Sequence, residues 1–600
     1  MRELVFWVGS LILALLIIWL IRLLYFKPVN INHFFERVML KFALRYPEIL
    51  TMIRVLEKFG IYSHNKKLNN LSDKFIQKEI KRIEREFQIL KSYDRESLSD
   101  KDRLSYDIME WFLGDSVEGG KYKYHSYPVN QLFGVQNQLP SFMVSFHQIN
   151  TLRDAKHYII RLKKFKKAFM EVEEGIEIRE KKNIIPPLFV IEKVLMEMEN
   201  FIMTPAEENI LYKNMEKKLK KLNKISPKVQ EELLEKTKKA IKDDVYPAYE
   251  ILINCFKRLK PKGVKDVGVW NLPNGDQYYQ YLLKHYTTTE LTAEEIYNIG
   301  IKEVERIQGE IKDILTRLGY NDNKNVVETL VELGKDERFT YPDTEESREQ
   351  VLLDYQKIID RIDSSISDLF NIRPKGKLVV ERIPPFKEKT APGAYYNPPS
   401  MDGSRPGIFS VNLLKLPVKW DMESLAIHEG IPGHHFQIAI QQELKNMPTF
   451  RRVIPFTAYV EGWALYAEKL AYEKDLFSDD YSKLGYLKSE LFRAVRLVID
   501  TGIHYKKWTR EQAIEYMLEN TGLDETSVVI EVERYIVMPG QATAYKIGEL
   551  EILRLREKVK KALGEDFDIK QFHDLILKTG AVPLKILGEV VDKYIEKRAC

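Results

Sequence analysis

His428-Glu429-Gly430-Ile431-Pro432-Gly433-His434-His435 is the densest chemistry in a chain of 600 residues. Of 11 histidines in all, three fall in this one stretch beside a glutamate. Histidines placed for packing do not cluster in this way. Neutral imidazoles are good zinc ligands, and a carboxylate next to the first can polarise a water on the metal. The spacing is unusual, however. In His-Glu-x-x-His both imidazoles lie one turn apart, ~6 Å, close enough to share an ion. Here Pro432 holds the fifth position. On an unbroken helix His434 would point ~120° away from His428, and His435 would face the same way but ~10.5 Å along the axis. Neither geometry closes on metal bonds of ~2.0–2.1 Å. Pro432 lacks the N–H that the carbonyl of His428 needs, so it breaks the helix, and Gly430 and Gly433 allow the bend. The stretch predicts a helix ending near Glu429, a Gly-Ile-Pro-Gly excursion and a second helix from His434. His434 and His435 both stay open as the second ligand.

A third ligand is sought downstream. Glu461-Gly-Trp-Ala-Leu-Tyr-Ala-Glu468 is amphipathic, with both glutamates on one helix face. Glu461 is preferred because Gly462 would let this helix and the histidine helix approach closely. Glu468 reads as an ordinary surface salt bridge. Further on, Asp500-Thr-Gly-Ile-His504 sets an acid and a histidine at i, i+4. This is either a helix-internal hydrogen bond or a substrate- or oxyanion-binding His504.

The rest of the body reads as helix. Residues 71–87, 155–172 and 190–202 carry apolar side chains at three- and four-residue spacing. The Lys/Glu-rich segment 213–244 is a solvated helical hairpin around Ser226-Pro227. Thr292-Ala-Glu-Glu295 is a capping box opening a helix that runs to about Leu318, where Gly319 stops it. One region breaks the pattern. Residues 377–383, 393–397 and 407–413 gather β-branched and aromatic residues between Pro-Pro and Asp-Gly breaks, and predict a small sheet just ahead of the histidines. It is either a structural ribbon or an edge that pairs with an extended peptide.

Composition narrows the classes. With 44% hydrophobic residues and a mean hydropathy of −0.33, the chain is neither disordered nor polytopic. A net charge of +5 over 600 residues is no nucleic-acid footprint. Two cysteines, Cys255 and Cys600, exclude a disulfide scaffold and cysteine-rich metal modules, so metal chemistry rests on His and carboxylates. From Leu4 to Ile21 no charge interrupts an apolar run long enough to cross a bilayer, and no small-residue cleavage site follows. This predicts a transmembrane anchor over 1–27 and a catalytic domain over 28–600. Arg22, Lys27, Arg37 and Lys41 outweigh Arg2, which leans that domain to the cytoplasmic face.

HEGIPGHHFQ (428–437), EGWALYAE (461–468), DTGIH (500–504) and ERYIVMPGQATAYKIG (533–548) follow one another in this order. YPVNQLFG (127–134), NLPNGDQYYQYLL (271–283), AYYNPPSMDGSRPGIFSVN (394–412) and FDIKQFHDLILKTGAVPL (567–584) accompany them. Together they resemble the DUF885 family, related to metallocarboxypeptidases and similar to gluzincin peptidases, over roughly residues 35–595. The resemblance implies a mainly α, two-lobed metallopeptidase-like fold with a deep cleft and zinc at its floor. It implies His428, His434 and Glu461 as ligands and Glu429 as general base. His434 is favoured over His435 because it follows a glycine. Arg534-Tyr535 and Tyr545 fall in a segment similar to the RY…Y stretch of converting-enzyme-like peptidases, whose tyrosine hydroxyls stabilise an oxyanion. Core packing is the plainer reading of both tyrosines.

The expected function is therefore a zinc-dependent peptidase or carboxypeptidase acting on short peptides. The alternatives are a non-peptide amide hydrolase and a non-catalytic membrane-anchored binding protein on the same scaffold.

Overall fold

The structure, a computed structural model, describes residues 7, 22, 26–54, 56–320, 324–385, 388, 392–399 and 405–598. Apart from Trp7, the apolar run lies outside the described residues, as does most of the anchor assigned to 1–27. Among the described residues, no helix is long and apolar enough to cross a membrane. The chain divides into two compact units, residues 1–267 with 271–273, and residues 268–270 with 274–600.

The first unit is built of helices. Asp73–Lys91 and Asp100–Gly119 each start at a serine, Ser72 or Ser99, whose hydroxyl accepts a first-turn N–H. The stretch predicted as one helix over 155–172 is two, Leu152–Leu162 and Phe165–Lys181. The apolar period alone cannot show a break at the charged pair Lys163-Lys164. The Lys/Glu-rich segment forms Ile210–Leu219 and Pro227–Ala240, with Pro227 at a first-turn position, where its missing N–H costs nothing.

The second unit carries the histidine stretch. Helix α1 (Ala293–Arg317) opens with the Thr292/Glu295 capping box, and Gly319 follows it at φ +83°. Three strands come next, β1 (Leu378–Arg382), β2 (Ala394–Asn397) and β3 (Gly407–Val411), within the ranges predicted. β3 is central, parallel to β1 with Leu378 opposite Gly407, and antiparallel to β2 with Ala394 opposite Val411.

Six further helices hold the site: α2 (Met422–Glu429), α3 (His434–Glu443), α4 (Thr457–Glu473), α5 (Asp480–His504), α6 (Glu525–Val537) and α7 (Ala544–Leu563). α1 lies along α5, where a Cβ on Gly300 would stand 2.9 Å from Leu497 Cβ. Leu497 and Val498 are fully buried there, each contributing roughly 1.5–3 kcal/mol. α4 crosses α7 more tightly still. A Cβ on Gly462 would stand 2.4 Å from the carbonyl carbon of Gly548, and one on Gly548 would stand 1.9 Å from the carbonyl oxygen of Ala458. Gly462 does permit close approach, but the helix that approaches is α7 and not the histidine helix that the sequence suggests.

Candidate metal centre

The break between α2 and α3 sets the geometry. α2 ends at Glu429 and α3 begins at His434. Between them the backbone folds back so closely that a Cβ on Gly433 would lie 2.1 Å from the carbonyl oxygen of His428. Trp463, fully buried on α4, donates its indole N–H to the carbonyl of Pro432 at 2.9 Å and pins the excursion. The fold-back returns His434 to His428. Their ring centroids are 4.7 Å apart, with planes at 81°.

Glu461 of α4 closes the group. Its Oε2 lies 3.7 Å from Nε2 of His428 and 3.4 Å from Nε2 of His434. These distances are long for hydrogen bonds. They suit ligands of one ion, since tetrahedral bonds of ~2.0–2.1 Å separate ligand atoms by about 3.3 Å. One ligand atom from each residue lies within 4.8 Å of the other two. Oε2 of Glu461 is buried without a hydrogen-bond partner, which is costly unless something else neutralises it. Two imidazoles and one carboxylate are a donor set that zinc accepts. The residues present therefore fit a divalent metal.

Behind them stands Glu468, 1% exposed and no surface residue. Its Oε1 lies 2.7 Å from Nδ1 of His428, and its Oε2 accepts from the hydroxyls of Ser424 and, at 3.2 Å, Ser489. The reading of Glu468 as a surface salt bridge is thus corrected. A carboxylate on Nδ1 fixes the ring and tautomer so that Nε2 faces the ligand position. Burial disfavours a charged His428, but Glu461 and Glu468 outweigh it and push the imidazole up to about 9. Burial alone would raise Glu461, yet the two histidines hold it well below the usual carboxylate range. A metal would take over from the protons that these groups share.

Glu429, buried in the last turn of α2, makes no hydrogen bond to a described residue, so its carboxylate is uncommitted. His435 points elsewhere. Its Nδ1 accepts from the Tyr396 hydroxyl and its Nε2 donates to the Gly376 carbonyl, both at 3.0 Å, bracing the sheet against α3. That leaves His434 as the histidine of the cluster.

His504 is equally committed. Nδ1 accepts the Val269 N–H at 3.1 Å, and Nε2 donates to the Tyr535 carbonyl at 3.0 Å. No nitrogen remains for a substrate, and no hydrogen bond joins it to Asp500. Asp500 instead accepts from the Tyr279 hydroxyl at 2.6 Å and from the Gly540 N–H at 3.0 Å. The DTGIH stretch therefore clamps the chain between α6 and α7. Tyr535 is corrected likewise: its hydroxyl donates to Glu531 at 2.8 Å and accepts from Arg496 at 3.1 Å, so its proton is engaged. Tyr545 is different. It is half-buried on the first turn of α7, three residues before Gly548, and its hydroxyl only accepts, weakly, from Gln541 at 3.4 Å. Burial and the nearby Glu461 carboxylate raise its pKa, so it keeps a proton to donate. Its neighbour Lys546 is fully buried and bonded to Glu490 at 2.6 Å and Glu549 at 2.8 Å, which fixes the turn that carries it.

Among known proteins, the family model described as "Bacterial protein of unknown function (DUF885)" matches residues 56–591. A crystal structure described as "the putative lipoprotein from Colwellia psychrerythraea" is similar with TM-score 0.90 and 31% identity, over 94% of this chain and 98% of that one. A protein of Shewanella oneidensis, described as "a putative lipoprotein of unknown function", shares the fold with TM-score 0.72 and 18% identity, over 94% and 99%. No curated protein matches.

Proposed function

The chain belongs to the DUF885 family, and from that premise we propose that it is a zinc-dependent hydrolase of short peptides. The observation that carries this reading is the buried, unpartnered Oε2 of Glu461 facing Nε2 of both His428 and His434. His428, His434 and Glu461 hold the metal, which when bound supplies Lewis acidity towards water and a scissile carbonyl. The residues of the chain do the rest. Glu468 orients His428. Glu429, uncommitted and on the same helical segment as the first ligand, takes the proton of the attacking water and returns it to the leaving amine. Tyr545 donates to the carbonyl oxygen as negative charge develops on it. The two-lobed cleft implied by the family resemblance would exclude folded proteins. Attachment to a membrane belongs to the same proposal, with the apolar run 4–21 serving as the anchor.

The test is Glu429→Gln. The amide keeps size and shape but accepts no proton, so zinc content should be unchanged while hydrolysis of short peptides falls by ~10²–10⁴-fold. Near-normal turnover with zinc confirmed by metal analysis would remove Glu429 from the mechanism. A purified protein that takes up no zinc would favour the non-catalytic binding protein instead.

A further inference from the structure

Arg496 stands out among the buried charges of the second unit. It lies on α5 in the run Ala494-Val495-Arg496-Leu497-Val498, and the residue is only 7% exposed. Its guanidinium is held between two rings, with Cζ 4.2 Å from the centroid of Phe492 and 4.5 Å from that of Tyr545. One edge of the fork is occupied: Nε donates to the Tyr535 hydroxyl at 3.1 Å and Nη2 to Glu531 at 3.2 Å. Nη1 is buried and has no partner. A buried guanidinium N–H without an acceptor is costly, so this is a place where an acceptor belongs.

Charge points the same way. Glu531 also accepts from Arg534 at 2.8 Å, so two guanidiniums share one carboxylate. The location ties Arg496 to the metal centre. The ring stacked on Arg496 is Tyr545, and Tyr545 sits on α7 where that helix crosses α4 one residue from Glu461, at the Gly462–Gly548 contact. The phenol feels the charges of both Glu461 and Arg496.

We infer that the end-on Nη1–Nη2 edge of Arg496 binds a carboxylate of the substrate, beside the Tyr545 ring. A planar fork already locked by two rings and one occupied edge loses little freedom on binding, and a two-pronged grip on a carboxylate is what arginine does best. Such a site selects peptides by a free carboxylate, at the chain end or on an acidic side chain. The inference rests on the peptide-hydrolase reading for its substrate, but its test separates the two.

Zinc-loaded full-length Glu429→Gln protein is titrated with acetyl-Ala-Ala-Phe, with its C-terminal amide, and with acetyl-Ala-Ala-Asp amide, whose only carboxylate is on a side chain. At least one carboxylate probe should bind ten-fold or more tighter than the uncharged amide, and which one does so identifies the source. Arg496→Gln and Arg496→Lys, added to that background, should abolish and weaken the preference respectively. The comparison among probes needs no change at Arg496, so misfolding of a variant does not blunt it. Equal binding of all three probes overturns the inference. So does an Arg496→Gln variant, in an otherwise native enzyme, that lowers kcat for acid and amide alike without touching KM, which would make Arg496 an oxyanion stabiliser. Persistent carboxylate preference with no hydrolysis of any peptide by the native enzyme would sink the peptidase reading and leave the carboxylate site standing.

Discussion

Two acid–histidine groups lie in the second unit, and each pairs a carboxylate with an imidazole. His428 and Glu461, like Asp500 and His504, are drawn from helices and sit in low-dielectric surroundings. Yet both nitrogens of His504 and the carboxylate of Asp500 are bonded to backbone or a phenol. The first group leaves Oε2 of Glu461 and Nδ1 of His434 without partners. A carboxylate and an imidazole are common to both. What separates a scaffold from a candidate centre is the account of donors and acceptors: the closed group holds a loop, and the open one waits for a ligand.

That contrast breaks most readily at the histidines. His428→Ala and His434→Ala should each strip the metal, a loss of several orders of magnitude in affinity, whereas His504→Ala should keep the metal and lower stability by about 1–3 kcal/mol. Zinc content and urea midpoints of the three variants decide it. Metal loss in His504→Ala alone would reverse the assignment. His435→Ala belongs with His504→Ala in this scheme.

The tyrosines give the next largest effect. Tyr545→Phe should lower kcat by ~10²-fold with zinc retained, as for loss of one oxyanion donor. Tyr535→Phe should cost less, because its proton is held by Glu531. Equal effects in peptide kinetics would mean that the free hydroxyl of Tyr545 is not what counts.

Glu468→Gln comes third. An outer carboxylate on a ligating histidine is worth ~10–100-fold in metal affinity, so competition with a zinc chelator should expose that deficit. An unchanged affinity would leave Glu468 a purely structural partner of Ser424 and Ser489.

The smallest effect is on pH. Burial pushes the Asp500 carboxyl up to about 7, with the Tyr279 and Gly540 donors only partly opposing. The unfolded value is ~3.9. The native state therefore binds this proton more readily, and its contribution is complete below ~pH 4 and is lost as pH rises through about 7. Asp500→Asn removes that dependence. Relative to the parent, the variant should gain stability as pH rises over this window, by at most ~1.4 kcal/mol per unit. Urea titrations across the window compare the two, and parallel curves would show the carboxyl to be ionised in the fold.

Much of this is legible in the sequence. Pro432 between two glycines dictates the break at 430–433, and β-branched and aromatic clustering locates all three strands. Helix period could not choose between His434 and His435, because the path of the excursion, set by the close approach of Gly433 to His428, decides which ring returns. The place of Glu468 is hidden from the sequence for a related reason. Seven-residue spacing puts it on the face of Glu461, but its burial depends on Ser489 of α5. His504 looked chemical because its partners, Val269 and Tyr535, are 235 and 31 residues away. Arg496 carries a sign in the sequence too, since a single charge within Ala-Val-Arg-Leu-Val-Ile marks a buried guanidinium with a duty.

The crossing of α4 and α7 acts as a thickness gauge for the whole centre. Two bare backbones touch at Gly462 and Gly548, and Glu461 and Tyr545 are mounted on either side of that contact. The span between the third ligand position and the candidate proton donor is thus machined into main chain rather than into side-chain length. A single methyl group at Gly548, far simpler than any change to the chemical residues, would act as a shim. It would wedge the two mountings apart and detune the centre while every residue proposed to act in it remained in place.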